Sequence, residues 1–185
     1  MSLVQYRVPR FPLRLVLLGL IAASLAAAAR AELLNQNAPP LDPARYVGRW
    51  YEVARLPNKF QDKCAAATSD WTRQPNGQFD VVQTCRIGSP TGPLKVWRGA
   101  GRIVDPATSL FRIGFFGGFV HMDYKIMDRA EDYSWCILTN GNPKYVWIMS
   151  RRASVPVSQK SALIARARRL GFDVSGLVYD DQPAG

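Results

Sequence analysis

The pentapeptide Gly48-Arg49-Trp50-Tyr51-Glu52 is answered far downstream by Trp147-Ile148-Met149-Ser150-Arg151. A tryptophan opening the first strand of a sheet and an arginine closing its last strand meet only if the sheet curls round on itself. The guanidinium then lies over the indole face, a cation–π contact worth roughly 0.5–2 kcal/mol depending on desolvation. Such a pair can meet at one end of a closed β-barrel.

The chain between the two segments has the punctuation that such a barrel needs. Short runs rich in β-branched and aromatic residues are bounded by Gly, Pro, Asn and Asp. They predict eight strands at Trp50–Leu56, Ala65–Arg73, Gln78–Arg86, Lys95–Val104, Leu110–Phe116, Phe119–Asp128, Tyr133–Thr139 and Lys144–Arg151. Asn76-Gly77 is a strong hairpin signal. Eight strands with short links imply an all-β, up-and-down antiparallel barrel in which closure leaves no edge unpaired. A single α-helix follows, entered at Pro156 and left at Gly171. Leu163, Ile164, Ala167 and Leu170 recur at helical spacing, so one face packs on the outer wall of the barrel. Phe172, Val174, Leu177 and Tyr179 extend that packing as a short tail strand.

The combination of G-x-W-Y-E, eight strands, W-I-x-S-R and one helix resembles the lipocalin family, close to its bacterial and apolipoprotein-D-like branch. The resemblance spans Leu41 to Gln182. Met122-Asp123-Tyr124 with Asp128 is similar to a second family signature, with Met122 where many members carry Thr. Strand direction returns Arg151 to the level of Trp50, so Gly48, Trp50, Asp123 and Arg151 are expected to close one end. The other end is the mouth, framed by 57–61, 88–93, 115–119 and 140–144.

Alternation along the strands selects the inner face. Trp50, Glu52 and Ala54 are expected inside on the first strand, Met122, Tyr124 and Ile126 on the sixth, and Tyr145, Trp147 and Met149 on the eighth. Phe115 and Trp97 complete the expected lining, with Gly99 and Gly101 leaving space for a ligand chain. An eight-stranded barrel either fills its interior or holds one small ligand. The resemblance implies a cavity for a fatty acid, lysophospholipid or similar single-chain lipid, held by Trp147, Tyr124, Met122, Met149, Tyr145, Phe115, Trp97 and Ala54. An inward Glu52 needs a partner, an arginine or Tyr124. Lys59 and Lys63 at the mouth suit an anionic headgroup, whereas Arg102 and Arg112 belong to the outer face.

Three cysteines occur, Cys64, Cys85 and Cys136. On the strand map Cys85 faces Ala66, close to Cys64, and a bulge can close the gap. A Cys64–Cys85 disulfide is expected, with Cys136 as a free thiol acting as a small hydrophobe.

Residues 1–31 read as a cleaved secretory signal. Arg7, Arg10 and Arg14 precede the apolar run Leu15–Ala29, and Ala29-Arg30-Ala31 fits a cleavage site. Removing the four arginines of this segment lowers the formal charge from +10 to +6 and leaves a single domain over residues 32–185. Export implies an oxidising compartment. Members of the bacterial branch are often lipoproteins, but no cysteine stands near Ala31, so a periplasmic or secreted protein, soluble after cleavage, is expected. Peripheral contact with the outer membrane and a homodimer are further expectations.

Enzyme classes find little support. One histidine, His121, excludes a metal site built on several imidazoles. No phosphate loop, dinucleotide fingerprint or nucleophile elbow is present, and no basic block interleaved with aromatics suggests nucleic acid. No cofactor and no metal are expected. A thiol isomerase would use Cys136 or an unpaired Cys64. An interaction module would use the mouth aromatics Phe60, Phe116 and Phe119.

Overall fold

The computed structural model describes residues 40–183. The expected signal, residues 1–31, lies outside them. A short helix α1 (Pro43–Tyr46), capped by the Asp42 carboxylate on the Ala44 amide at 2.9 Å, leads into the sheet. Eight strands follow: β1 (Gly48–Arg55), β2 (Cys64–Arg73), β3 (Phe79–Ile87), β4 (Leu94–Asp105), β5 (Leu110–Phe115), β6 (Val120–Arg129), β7 (Trp135–Thr139) and β8 (Trp147–Ser150). Each pairs antiparallel with the next, and β1 pairs with both β8 and β2, so the barrel is closed. Helix α2 (Val157–Arg169) and a short strand β9 (Val178–Tyr179) complete the chain.

Two apolar cores result. The inner one runs from Leu41 and Tyr46 through Trp50, Trp71 and Phe111 to Tyr124 and Trp147. The outer one lies between α2 and the wall: Leu163 and Ala167 of the helix meet Val53, Ala54, Met127, Ile137 and Ile148. Full burial of a side chain such as Leu163 contributes about 1.5–3 kcal/mol. Arg166 clasps this joint, donating to Asp128 at 2.9 Å and lying 4.9 Å over the Trp135 ring.

The closure between β1 and β2 is partial. They pair only from Gly48↔Trp71 to Tyr51↔Thr68. Above that point they part, and β9 pairs with β1 at Ala54 and Arg55 instead. The tail then stitches the seam. Asp181 donates its amide to Ala65, and Gln182 donates to the carbonyls of Glu52 and Ala67 at 3.0 and 2.9 Å. The tail expected as outer packing is thus also part of the barrel wall.

Bulges decide which residues face in. One on β1, between Glu52 and Ala54, inserts an extra residue opposite Met149 and Ile148 of β8. Alternation is reset there, so Ala54 turns to the outer core rather than the interior. A second bulge, between Cys64 and Ala66, brings Cys64 beside Cys85, with Cα atoms 5.5 Å apart and the two sulfurs bonded. The register differs by one residue from the expected one, Cys85 facing Ala67.

Candidate functional site

The closed end is built around Trp50. Its indole is buried and donates to the Tyr46 carbonyl at 2.9 Å. The Arg151 guanidinium lies 3.8 Å from the Trp50 ring and donates to the carbonyls of Arg49, Arg45 and Tyr46 at 2.9, 2.9 and 3.1 Å. Gly48 has φ +94°, a conformation that favours glycine, and a Cβ there would stand 3.3 Å from Arg151 Nη1. Tyr133 braces the same end, its hydroxyl accepting from the Asp42 amide at 2.7 Å and its ring meeting the guanidinium groups of Arg45 and Arg129 at 4.6 and 4.3 Å. Asp123 does not belong to this end. It sits on the mouth half of β6, faces outward by alternation, and holds a two-pronged pair with Arg112 of β5 at 2.5 and 2.7 Å.

Above the closed end lies a cavity of about 230 Å³. Aromatic rings climb its wall in contact: Trp71 to Phe111 (5.1 Å between centroids), Phe111 to Tyr124 (5.5 Å) and Tyr124 to Trp147 (5.6 Å). Of the residues expected to touch ligand, Trp147, Tyr124, Met122, Met149, Phe115 and Trp97 line the cavity. Ala54 does not, because of the β1 bulge. Tyr145 stands one layer back, stacked 6.1 Å from Trp147. The chain at Tyr145 is not yet in β8: its amide bonds the Asn142 carbonyl in the preceding turn, so strand alternation does not extend to it.

Gly99 and Gly101 do not enlarge the cavity. A Cβ at Gly99 would meet Ile113 Cγ2 and the Gly114 carbonyl oxygen, both at 2.8 Å, and one at Gly101 would meet Trp71 and Val81 at 3.0 Å. The missing side chains let neighbouring side chains close in, and the packing of Trp71 depends on it.

The polar part of the lining is a network that sequence periodicity does not announce. Trp147 Nε1 donates to Gln61 Oε1 at 2.7 Å, and Gln61 Nε2 donates to Glu52 Oε2 at 2.6 Å. Glu52 Oε1 accepts from Arg55 Nη1 at 2.7 Å, and the same nitrogen serves Asp180 at 2.5 Å. The second Asp180 oxygen accepts from the Ala67 amide at 2.6 Å. Two buried acids thus share one cation. Burial, then the negative charge of Glu52, push the Asp180 acid up to about 7. Burial also raises Glu52, against the pull of Arg55 and Gln61. Burial alone would lower the Arg55 guanidinium, but the charges of Glu52 and Asp180 outweigh it and raise it.

The groups on which an enzyme would depend are poorly placed. Cys136 is buried at the closed end, outside the cavity lining, and burial pushes its thiol up to about 12. A nucleophilic cysteine needs the opposite shift, and Cys64 is committed to the disulfide. Among the described residues no three His, Cys, Asp or Glu side chains gather to hold a metal. His121 is exposed on the outer face, against Gly114 and Gly118.

Comparison with known proteins agrees with this architecture. The chain is 30% identical to the putative lipocalin R877 of Acanthamoeba polyphaga mimivirus over 156 residues, 80% of this chain and 88% of that one. It is 26% identical to the outer membrane lipoprotein Blc of Escherichia coli K12, covering 90% of this chain and 98% of that one. Among solved structures it superposes on insecticyanin from the tobacco hornworm with TM-score 0.64 and 14% identity, covering 80% and 84% of the two chains. It also superposes on lobster apocrustacyanin A1 with TM-score 0.60 and 18% identity, covering 84% and 86%. Residues 41–182 match the lipocalin-like domain model, and the chain belongs to the lipocalin family.

Proposed function

We propose that this protein binds and carries a single-chain lipid, such as a fatty acid, a lysophospholipid or a similar molecule, in its barrel. The observation that carries this reading is the apolar cavity itself, walled by Trp147, Tyr124, Met122, Met149, Phe115 and Trp97. Burying an alkyl chain against such a wall gains about 25 cal/mol per Å² removed from water. The volume favours a slender ligand: about 230 Å³ lies below the range of roughly 300–1,000 Å³ usual for drug-sized pockets. A slender alkyl chain suits this space better than a bulky ring system. No catalytic step is assigned.

The expected signal at residues 1–31 supports delivery across a membrane, with residues 32–185 as the working domain in the periplasm or outside the cell. The similarity to an outer membrane lipoprotein supports a role at the envelope. The rim supports peripheral contact there, or with a second copy, because Phe119, Phe116 and Phe60 are 92%, 66% and 56% exposed. Lipid titration followed by tryptophan fluorescence tests the carrier reading, since Trp147 lies in the wall. Saturable quenching supports it and a flat titration rejects it. Phe119→Asp is expected to abolish vesicle binding or dimerisation while leaving that quenching intact.

A further inference from the structure

We infer that the polar subsite of the cavity, centred on Glu52, takes an uncharged hydroxyl-bearing lipid head and excludes a free carboxylate. The inference rests on the carrier reading and names the head chemistry of its ligand.

The protonation of Glu52 follows from its neighbours. An indole N–H can only donate, so Trp147 fixes the atom facing it as Gln61 Oε1. Asn58 Nδ2 donates to that same oxygen at 2.9 Å. The Gln61 amide therefore turns its NH2 towards Glu52 Oε2, which accepts. The other oxygen, Oε1, accepts from a guanidinium. Both oxygens accept, which is the arrangement of an ionised carboxylate. Both Asp180 oxygens accept as well, one from Arg55 Nη1 and the other from the Ala67 amide, so two acids share the single Arg55 cation.

The cavity is then electrostatically one-sided. Its lining includes Glu52 and no lysine, arginine or histidine. The other polar lining groups, Asn58, Gln61, Thr68, Ser69, Gln83 and Thr84, are neutral. Arg55 stands outside the lining and already serves two acids. A fatty-acid carboxylate at this depth would meet Glu52 and Asp180 sharing the single Arg55 cation, a net negative charge that no cation in the lining offsets. A hydroxyl would instead donate to a lone pair that Glu52 still has free. A carboxylate-headed lipid is left with the head-out orientation, its charge near the exposed Lys59 and Lys63.

The test uses the full mature chain at pH 8 and four probes with the same oleyl chain: oleyl alcohol, 1-monooleoylglycerol, methyl oleate and sodium oleate. Affinities are read from tryptophan quenching. The alcohol and the monoacylglycerol should bind at least about tenfold more tightly than oleate, the scale of one buried hydrogen bond kept or lost at a charged group. Methyl oleate, neutral but without a donor, should fall between them. Glu52→Gln should close most of the oleate gap and leave methyl oleate unchanged. Oleate binding as tightly as the alcohol in the native protein, or a gap that Glu52→Gln leaves intact, would overturn the inference while leaving the carrier reading standing. Should the variant not fold, the ranking in the native protein decides alone. Failure of all four probes to bind would reject the carrier reading itself.

Discussion

Trp50 and Arg151 close the barrel as a unit, and each depends on the other. Replacing Trp50 by Ala empties a fully buried site and should cost about 3–5 kcal/mol. Arg151→Ala removes the cation–π contact and three donated hydrogen bonds, and should cost about 2–3 kcal/mol. Chemical denaturation checks both, and unchanged midpoints would contradict the closure account. Arg55 is the more sensitive position. Arg55→Met leaves Glu52 and Asp180 buried without their cation, and breaking a buried pair from one side typically costs about 3–5 kcal/mol. At this scale the sequence was only partly legible. The pairing of Trp50 with Arg151 followed from two motifs at the two ends of a sheet. The pairing of Glu52 with Arg55 did not, because in a regular strand these positions point to opposite faces. Only the bulge after Glu52 brings them together, and no residue pattern there announces it. Asp123 misled for a related reason: its motif suggested the closed end, whereas its partner Arg112 is chosen by strand register.

The elements were more legible than their joints. Turn residues and alternation located all eight strands to within a few positions, and Pro156 and Gly171 bracketed α2. The missed joint is the seam between β1 and β2. It is sealed by residues more than a hundred positions away in sequence, such as Asp180 to Ala67 and Gln182 to Glu52. Polar contacts of that range leave no periodic trace. The seam also makes stability depend on pH. The Asp180 acid is pushed up to about 7 in the folded protein, against about 3.9 in an unfolded chain. Between those values the folded state binds more protons, so the contribution of Asp180 is complete below about pH 4 and is lost as pH rises through about 7. Raised Glu52 acts in the same direction. The melting temperature should therefore fall from pH 5 to pH 8, and Asp180→Asn should flatten that slope. A melting temperature that does not change between pH 5 and pH 8 would mean that Arg55 keeps both acids ionised. The glycines of β4 carry a separate prediction. Gly99→Val should destabilise strongly, because its Cβ would stand 2.8 Å from a neighbouring backbone oxygen. A Gly99→Val protein that melts with the native one would show that β4 can shift to make room.

For the whole molecule, closure determines what kind of site can exist. Trp50 and Arg151 shut one end, and the disulfide ties the start of β2 to β3 near the other. The lining was legible wherever strands stayed regular, as for Met122, Tyr124, Trp147 and Met149. It was not legible where the chain left strand geometry, at Ala54 and Tyr145. The polar side of the cavity was hidden for another reason. Gln61 comes from the loop after β1, and its role depends on folding back onto Trp147. The central claim is that this closed barrel carries a lipid, and native mass spectrometry of the protein purified from its own cells tests it most directly. The account predicts one single-chain lipid per barrel, released on organic extraction. A barrel that is empty as isolated, and that stays empty when lipid is supplied, would contradict it.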